Sequence, residues 1–365
     1  MTDDTAAGDA AQAGLDPERG RIPVTVLTGF LGSGKTTVLN ALLKHPAMGH
    51  TAVVINEFGE VGIDNLLVET ATEDMVVMDS GCLCCTIRGD LIETLRNLIR
   101  RRWRDEIPAF ERLVIETTGL ADPAPILHTL MTDPVISARY RLDSVVTTVD
   151  AATGDATLDT QPESVKQAAV ADRILLTKTD IAPDVAGLTD RLRTINPAAP
   201  ILPVVQGAVD PDALFGAGLY DPSSKHPDVA AWLAEEAYEQ AHDHDHHDQG
   251  HHDHGHHHHD ANRHDDRIRA FVLRAECRID WDKFVDWIEA LIATHGASLL
   301  RMKGILWVQQ VDGPVAVHGV QHVFHPPAAL DRWPEGEVPS SRVVIIARDL
   351  NKEPVEKMFR AFVGD

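Results

Sequence analysis

The sequence predicts an α/β fold, an open and mainly parallel sheet with helices on both faces, followed by a smaller α+β domain. Three observations predict it. From about Arg21 to Leu219, short β-branched runs alternate with amphipathic helical stretches. Residues 242–264, HDHDHHDQGHHDHGHHHHDANRH, then break the pattern with almost no apolar side chains. Beyond them, apolar runs and two amphipathic stretches resume to the last residue. The expected organisation is an acidic tail over 1–20, a first domain over 21–220, a linker over 221–266 and a second domain over 267–365.

The first domain supplies seven strand candidates. IPVTVLTG, HTAVVINE, MVVMDS, RLVIETTG, SVVTTVDA, ADRILLTKTD and APILPVVQG have the near-continuous apolar character of strands covered on both faces. Between them, TIRGDLIETLRNLIRR carries Ile87, Leu91, Leu95, Leu98 and Ile99 on one helical stripe. In the second domain RIRAFVLR, LLRMKGILWVQQ, AVHGVQHVF and RVVIIAR read as strands. One helix there presents Phe284, Trp287, Ile288, Leu291 and Ile292; the other presents Val355, Met358, Phe359 and Phe362.

Composition narrows the function classes. A formal charge of −23 and a pI near 5.2 oppose a nucleic-acid or anionic-membrane partner, because phosphates are repelled. No apolar stretch approaches the roughly eighteen residues that span a bilayer. The first twenty residues lack the basic start and apolar centre of a signal peptide and read as a floppy tail. Four cysteines in 365 residues make no disulfide framework, and the expected compartment is a reducing cytoplasm.

The strongest motif is GFLGSGKT, Gly29 to Thr36, between strand IPVTVLT and helix TVLNALLKH. It matches the phosphate-loop pattern in full and in the right context. Gly29, Gly32, Ser33, Gly34, Lys35, Thr36 and Thr37 are the candidate phosphate contacts. Glycines there let backbone N–H groups turn inward around phosphate oxygens. Lys35 adds a charge between the β- and γ-phosphates, and the Thr36 hydroxyl suits Mg²⁺. Strand RLVI ends in Glu116, at the carboxyl end where a carboxylate holds Mg²⁺ through water or orients the attacking water; capping the next helix is the plainer role. NEFGEVGID, Asn56 to Asp64, has the character of a mobile loop, and Glu57 on it is a second carboxylate candidate.

LLTKTD, Leu175 to Asp180, resembles the guanine-reading motif Asn-Lys-x-Asp, with Thr177 where Asn is usual. Asp180 can accept from N1–H and N2–H₂ of guanine, a donor pair that adenine lacks, and Lys178 would lay its stem along the base. The order of motifs therefore favours GTP over ATP.

SGCLCCTIRGDL sets Cys82, Cys84 and Cys85 at a strand-to-helix turn. N–H groups at a helix start favour thiolate, the form that binds metal. Three sulfurs fill only part of a tetrahedral Zn²⁺ shell, which leaves a position for water, an acid or a receiving protein. Burial as small hydrophobes and a redox role are the alternatives. The twelve histidines of the tract read either as a loose metal reservoir or as a solvating linker. His318, His322 and His325 read as packing or turn residues, RRRWR as a solvated helix end, and Cys277 as a core residue on a strand.

GFLGSGKTT, NEFGEVG, GCLCCTIRGDL, IETTGLADP and TKTD, in this order, resemble the CobW-type family of GTPase metallochaperones, which is akin to the nickel-insertion GTPases UreG and HypB. RMKGILW and VHGVQHVFH resemble the family's smaller carboxy-terminal domain. The resemblance implies a SIMIBI-class P-loop GTPase that binds a divalent metal at Cys82, Cys84 and Cys85 and delivers it to a metal-requiring client in a step tied to GTP hydrolysis. Zinc leads as the metal. Cobalt, including insertion linked to cobalamin biosynthesis, and nickel stay open, because thiolates exclude magnesium and calcium without separating these three. A metal buffer or sensor with regulatory GTP, a P-loop small-molecule kinase, and a homodimer sharing metals between facing cysteine turns are further possibilities.

Overall fold

The computed structural model describes residues 20–55, 76–79, 87–182, 184–215, 267–329, 333 and 338–364. Seven strands build the first sheet: β1 (Ile22–Gly29), β2 (Thr51–Ile55), β3 (Val76–Asp79), β4 (Arg112–Glu116), β5 (Tyr140–Asp150), β6 (Arg173–Thr177) and β7 (Ile201–Val204). All are parallel, in the order β3-β2-β4-β1-β5-β6-β7. Between them run α1 (Lys35–Leu43), α2 (Ile87–Trp103), α3 (Ala124–Thr132), α4 (Pro134–Ser137), α5 (Gly154–Thr160), α6 (Pro162–Ala169) and α7 (Ala186–Ile195).

Side-chain alternation explains why the strands read as unbroken apolar runs. Leu113 and Ile115 of β4 join Val24 and Val26 of β1 in a core with Leu91, Leu95 and Leu98 of α2 and Leu127 of α3. Val114 and Leu27 point the other way, against Val38, Leu39 and Leu42 of α1. Period-two alternation between two covered faces leaves no solvated position in mid-strand, and the polar side chains that do occur there, such as Thr25 and Ser144, are buried and bonded to each other. β5 is longer than the SVVTTVDA run because it pairs with β1 from Ile22 to Gly29, across a register shift at Val24/Thr25.

The second sheet is antiparallel and contains β8 (Ile268–Ala275), β9 (Leu299–Leu306), β10 (Val315–Val320), β11 (Val323–Phe324), β12 (Ala328–Ala329) and β13 (Ser341–Arg348). Its order is β11-β10-β9-β13-β8, with β12 also on β10. AVHGVQHVF is not one strand. Gln321 takes a left-handed conformation (φ 53°), and the chain reverses so that Val320 pairs with Val323. Phe271, Leu273, Val343 and Ile345 pack on α8 (Trp281–His295) and α9 (Lys352–Val363). The intervening Ala270, Val272, Val344 and Ile346 share a core with Val165 and Ala168 of α6 and with Leu188 and Leu192 of α7. The second sheet is thus buried on both faces, one of them by the first domain. Cys277 lies beyond the end of β8, half-buried beside the helical core, and not on a strand.

Candidate functional site

The carboxyl ends of β1 and β4 are neighbours, and the chain leaves β1 for β2 by passing over β4. In an open α/β sheet the crevice at such a reversal is where ligands bind. A cleft of about 350 Å³ opens there, lined by Gly32, Gly34, Lys35, Thr36, Thr37 and the loop from Glu116 to Gly119. First-turn N–H groups, which a helix leaves without intrahelical acceptors, belong on α1 to Lys35, Thr36 and Thr37.

Close approach fixes the start of the loop. Gly29 has φ +142°, and a Cβ there would sit 2.2 Å from Thr148 Oγ1. Ser33 Oγ lies 2.6 Å from the same Thr148 hydroxyl, so the loop is fastened to β5 beneath it. Lys35 Nζ donates to Gly29 O at 2.9 Å and Phe30 O at 3.2 Å, which keeps the ammonium over the loop. Thr36 Oγ1 donates to Glu116 Oε1 at 2.9 Å, although 80 residues separate them. A hydroxyl and a buried carboxylate side by side are hard oxygen donors, a set that suits Mg²⁺ and not a soft metal.

The loop after β4 is held as firmly. Thr117 donates its hydroxyl to Thr28 Oγ1 at 2.8 Å and its N–H to Leu27 O at 2.9 Å. Gly119 presses on the phosphate loop, since a Cβ there would lie 2.6 Å from Leu31 N. Any side chain at 119 would push the two loops apart.

At the far end, Thr177 closes β6 with its hydroxyl 2.7 Å from Ser33 O and 3.1 Å from Val149 O. The threonine thus ties its strand end to the phosphate loop with a single hydroxyl. Lys178 adopts a left-handed conformation (φ 58°), and its Nζ lies 2.6 Å from Asp150 Oδ2. Burial opposes ionisation of Asp150, but hydrogen bonds from Lys178 and the Ala152 N–H, with the lysine charge, outweigh it and hold the carboxyl below its ordinary value. Asp180 is exposed on the turn that follows. Asp150 is the residue that the motifs missed. Its signal was the acidic end of TTVDA, on the strand that neighbours TKTD.

Glu57, Cys82, Cys84, Cys85 and the histidine tract lie outside the described residues, so only their flanks are seen. β3 stops at Asp79, and α2 starts at Ile87. Among the described residues, no group of three or more His, Cys, Asp or Glu side chains is arranged to hold a metal. His318 is buried at the domain boundary, its ring centroid 5.0 Å from that of His325, and His322 meets His128 edge-on at 4.4 Å. Trp103, in the RRRWR stretch, is exposed beneath the Arg139 guanidinium. Among the described residues, no helix is long and apolar enough to cross a membrane.

Comparison with known proteins decides the family. The CobW/HypB/UreG nucleotide-binding domain matches residues 23–203, and the cobalamin synthesis protein cobW C-terminal domain matches residues 268–363. The zinc chaperone YjiA of Escherichia coli K12 is 33% identical over 343 residues, spanning 94% of this chain and 98% of that one. The chain belongs to the CobW/HypB/UreG family. Within it, the Zn(II)-bound YjiA GTPase of E. coli superposes with a TM-score of 0.68 at 29% identity, over 94% of this chain and 99% of that one. The zinc-regulated GTPase metalloprotein activator 1 of Schizosaccharomyces pombe is 34% identical over 205 residues, or 54% of this CobW-family chain and 48% of its own length.

Proposed function

We propose that this protein is a GTP-hydrolysing metallochaperone that binds a divalent metal, zinc first, at Cys82, Cys84 and Cys85 and passes it to a metal-requiring client. The observation that carries the nucleotide half is the Thr36–Glu116 contact at the mouth of the phosphate loop. It gathers the hydroxyl that follows the loop lysine and a buried strand-end carboxylate into one cleft. Relatives named as zinc chaperones, and a Zn(II)-bound structure of one of them, support zinc as the cargo. Cys-x-Cys-Cys is the sequence feature that supports the cargo site.

In the reaction a water oxygen forms a bond to the γ-phosphorus, the bond to the bridging β–γ oxygen breaks, and GDP and inorganic phosphate leave. The chain's work is positional and electrostatic. N–H groups of the phosphate loop and the Lys35 ammonium hold the β- and γ-phosphate oxygens where charge builds up. Thr36 and Glu116 would hold Mg²⁺, which when bound neutralises phosphate charge. Glu116 and Glu57 are the carboxylates assigned to place the attacking water. Thr177 fixes the base end to the phosphate end, so that Lys178 and Asp180 meet guanine while the γ-phosphate meets Lys35.

Titrating GTP, GDP and ATP into the full chain, and following phosphate release with and without zinc, tests the proposal. Preference for guanine and GTP turnover that vanishes in Lys35→Ala are expected. ATP outcompeting GTP would assign a kinase instead. Undetectable hydrolysis with many weakly held metal ions would assign a metal buffer.

A further inference from the structure

Helix α6 stands between the nucleotide cleft and the second domain and is bonded to both. On the cleft side, Gln167 is fully buried, and its Nε2 lies 3.0 Å from Ala121 O and 3.3 Å from Gly119 O. The neighbouring Lys166 reaches Asp122 Oδ2 at 3.0 Å. Both therefore grip the loop that continues from Glu116 and lines the phosphate cleft.

The helix itself is pinned at three places. Thr147 of β5 donates its hydroxyl to Gln167 O at 2.8 Å. Asn196, just after α7, donates to the carbonyls of Ala168 and Ala169 in the last turn of α6, where a helix runs out of intrahelical donors, and to that of Ala171 just beyond it. Arg301, on β9 of the second domain, donates to Val170 O and Asp172, and Lys303 lies 3.1 Å from the same carboxylate. Asp172 in turn accepts from the Val145 N–H of β5 at 2.9 Å. Arg301 and Asp172 are both shut away from solvent. A buried amide aimed at two loop carbonyls, on a helix whose end is clasped by another domain, forms a continuous bonded route between them.

We propose that Gln167 is a positioning residue for the Thr117–Asp122 loop, and that the second domain, through Arg301 on Val170 O and Asp172, holds α6 in the register that lets Gln167 do so. The second domain thereby acts on the nucleotide site without touching nucleotide. This rests on the guanine-nucleotide reading of the cleft and adds to it a regulatory input. A client docked on the second domain would be felt at the γ-phosphate, and by reciprocity the γ-phosphate at the client surface.

The test uses the full chain with Gln167→Leu, Lys166→Met and Arg301→Met. Three quantities are read: the affinity ratio of a GTP analogue to GDP, kcat against KM for GTP, and hydrogen exchange of the peptide spanning Gly119–Asp122. Gln167→Leu should lower the affinity ratio and kcat by about tenfold, an ordinary size for site-to-site coupling, with KM within about twofold. Arg301→Met should shift both in the same direction by about threefold, and Lys166→Met, a solvent-edge change that keeps the buried amide, by about twofold. Exchange in the loop peptide should quicken in all three variants while that of Gly29–Thr36 stays unchanged. Wild type failing to bind guanine nucleotide would overturn the functional reading, and the exchange arm would still judge the link by itself. Nucleotide binding with an unchanged ratio in Gln167→Leu would overturn the link. A response in Gln167→Leu and none in Arg301→Met would overturn the part given to the second domain. Should Gln167→Leu fail to fold, unchanged loop exchange in both Lys166→Met and Arg301→Met would overturn the proposal.

Discussion

The phosphate cleft and the domain boundary use the same charged residue types to opposite ends. In the cleft, Lys35 and Glu116 border an open space of about 350 Å³, beside hydroxyls and backbone N–H groups. At the boundary, Arg301 and Asp172 are shut between two sheets with the mostly covered Lys303 beside them, and the three satisfy one another and a helix end. Burial there drives the Lys303 pKa down to about 8, although the adjacent Asp172 carboxylate resists the fall. Lys35 and Glu116 are nearly buried themselves, yet they face a space that a ligand can fill. The boundary charges face one another and the chain, and the loss of one costs stability.

Four variants sharpen or break that contrast, in falling order of effect. Lys35→Ala should cut GTP turnover by about 10³-fold, the scale of losing one electrostatic stabiliser of the transition state, with the unfolding midpoint almost unmoved. Phosphate release and denaturant titration on one preparation check both halves. Asp172→Ala should act mainly on stability, with turnover moved by no more than the few-fold change expected for Arg301→Met. With the carboxylate gone, the buried Arg301 and the mostly covered Lys303 lose their counter-charge, and unfolding free energy should fall by about 3–5 kcal/mol, read in urea. A loss under about 1 kcal/mol would mean that water enters the boundary, and the contrast would fail.

The histidines of the boundary carry a pH signature. Burial, with Arg21 and Arg301 nearby and Asp172 opposing them, lowers the His325 pKa to about 4. Burial, with Arg301, His325 and Lys303, puts His318 well below its ordinary value. In an unfolded chain both titrate near 6.5. Between about pH 6.5 and 4 the unfolded state therefore binds more protons, and stability that is full above 6.5 drains away as the pH falls. His325 alone is worth up to about 3 kcal/mol by pH 4, and His325→Phe should flatten the acid limb of urea unfolding by that order. Thr177→Val, which keeps shape and deletes the hydroxyl near Ser33 O, should cost the smallest amount, about 1 kcal/mol, seen as several-fold weaker GTP binding.

The same contrast sets what the sequence could reveal. The phosphate loop, ETTG and TKTD are contiguous in sequence because each is a strand end and its following turn, so chemistry and position arrive together. RVVIIAR and RIRAFVLR read as strands, and their cover on both faces, found in the structure, matches their near-continuous apolar runs. The boundary charges were silent. Arg301 and Lys303 sit on β9 among apolar residues, and Arg301 meets Asp172 from 129 residues away, a pairing that no local pattern encodes. Asp150 hid for the same reason, because its partner Lys178 comes just after the end of the next strand. Thr177 stood out as a departure from the guanine motif. Its place explains the tolerance, since a hydroxyl suffices to bond the phosphate-loop carbonyl. Cys82, Cys84 and Cys85 lie outside the described residues, between the end of β3 and the start of α2.

Zinc titration of the full chain, with a non-hydrolysable GTP analogue or with GDP bound, tests the central claim most directly. The account predicts one tight ion per chain that is lost in Cys84→Ser, and an affinity about tenfold higher with the GTP analogue than with GDP. Equal affinity in the two nucleotide states, or a tight ion that survives replacement of all three cysteines by serine, would contradict it.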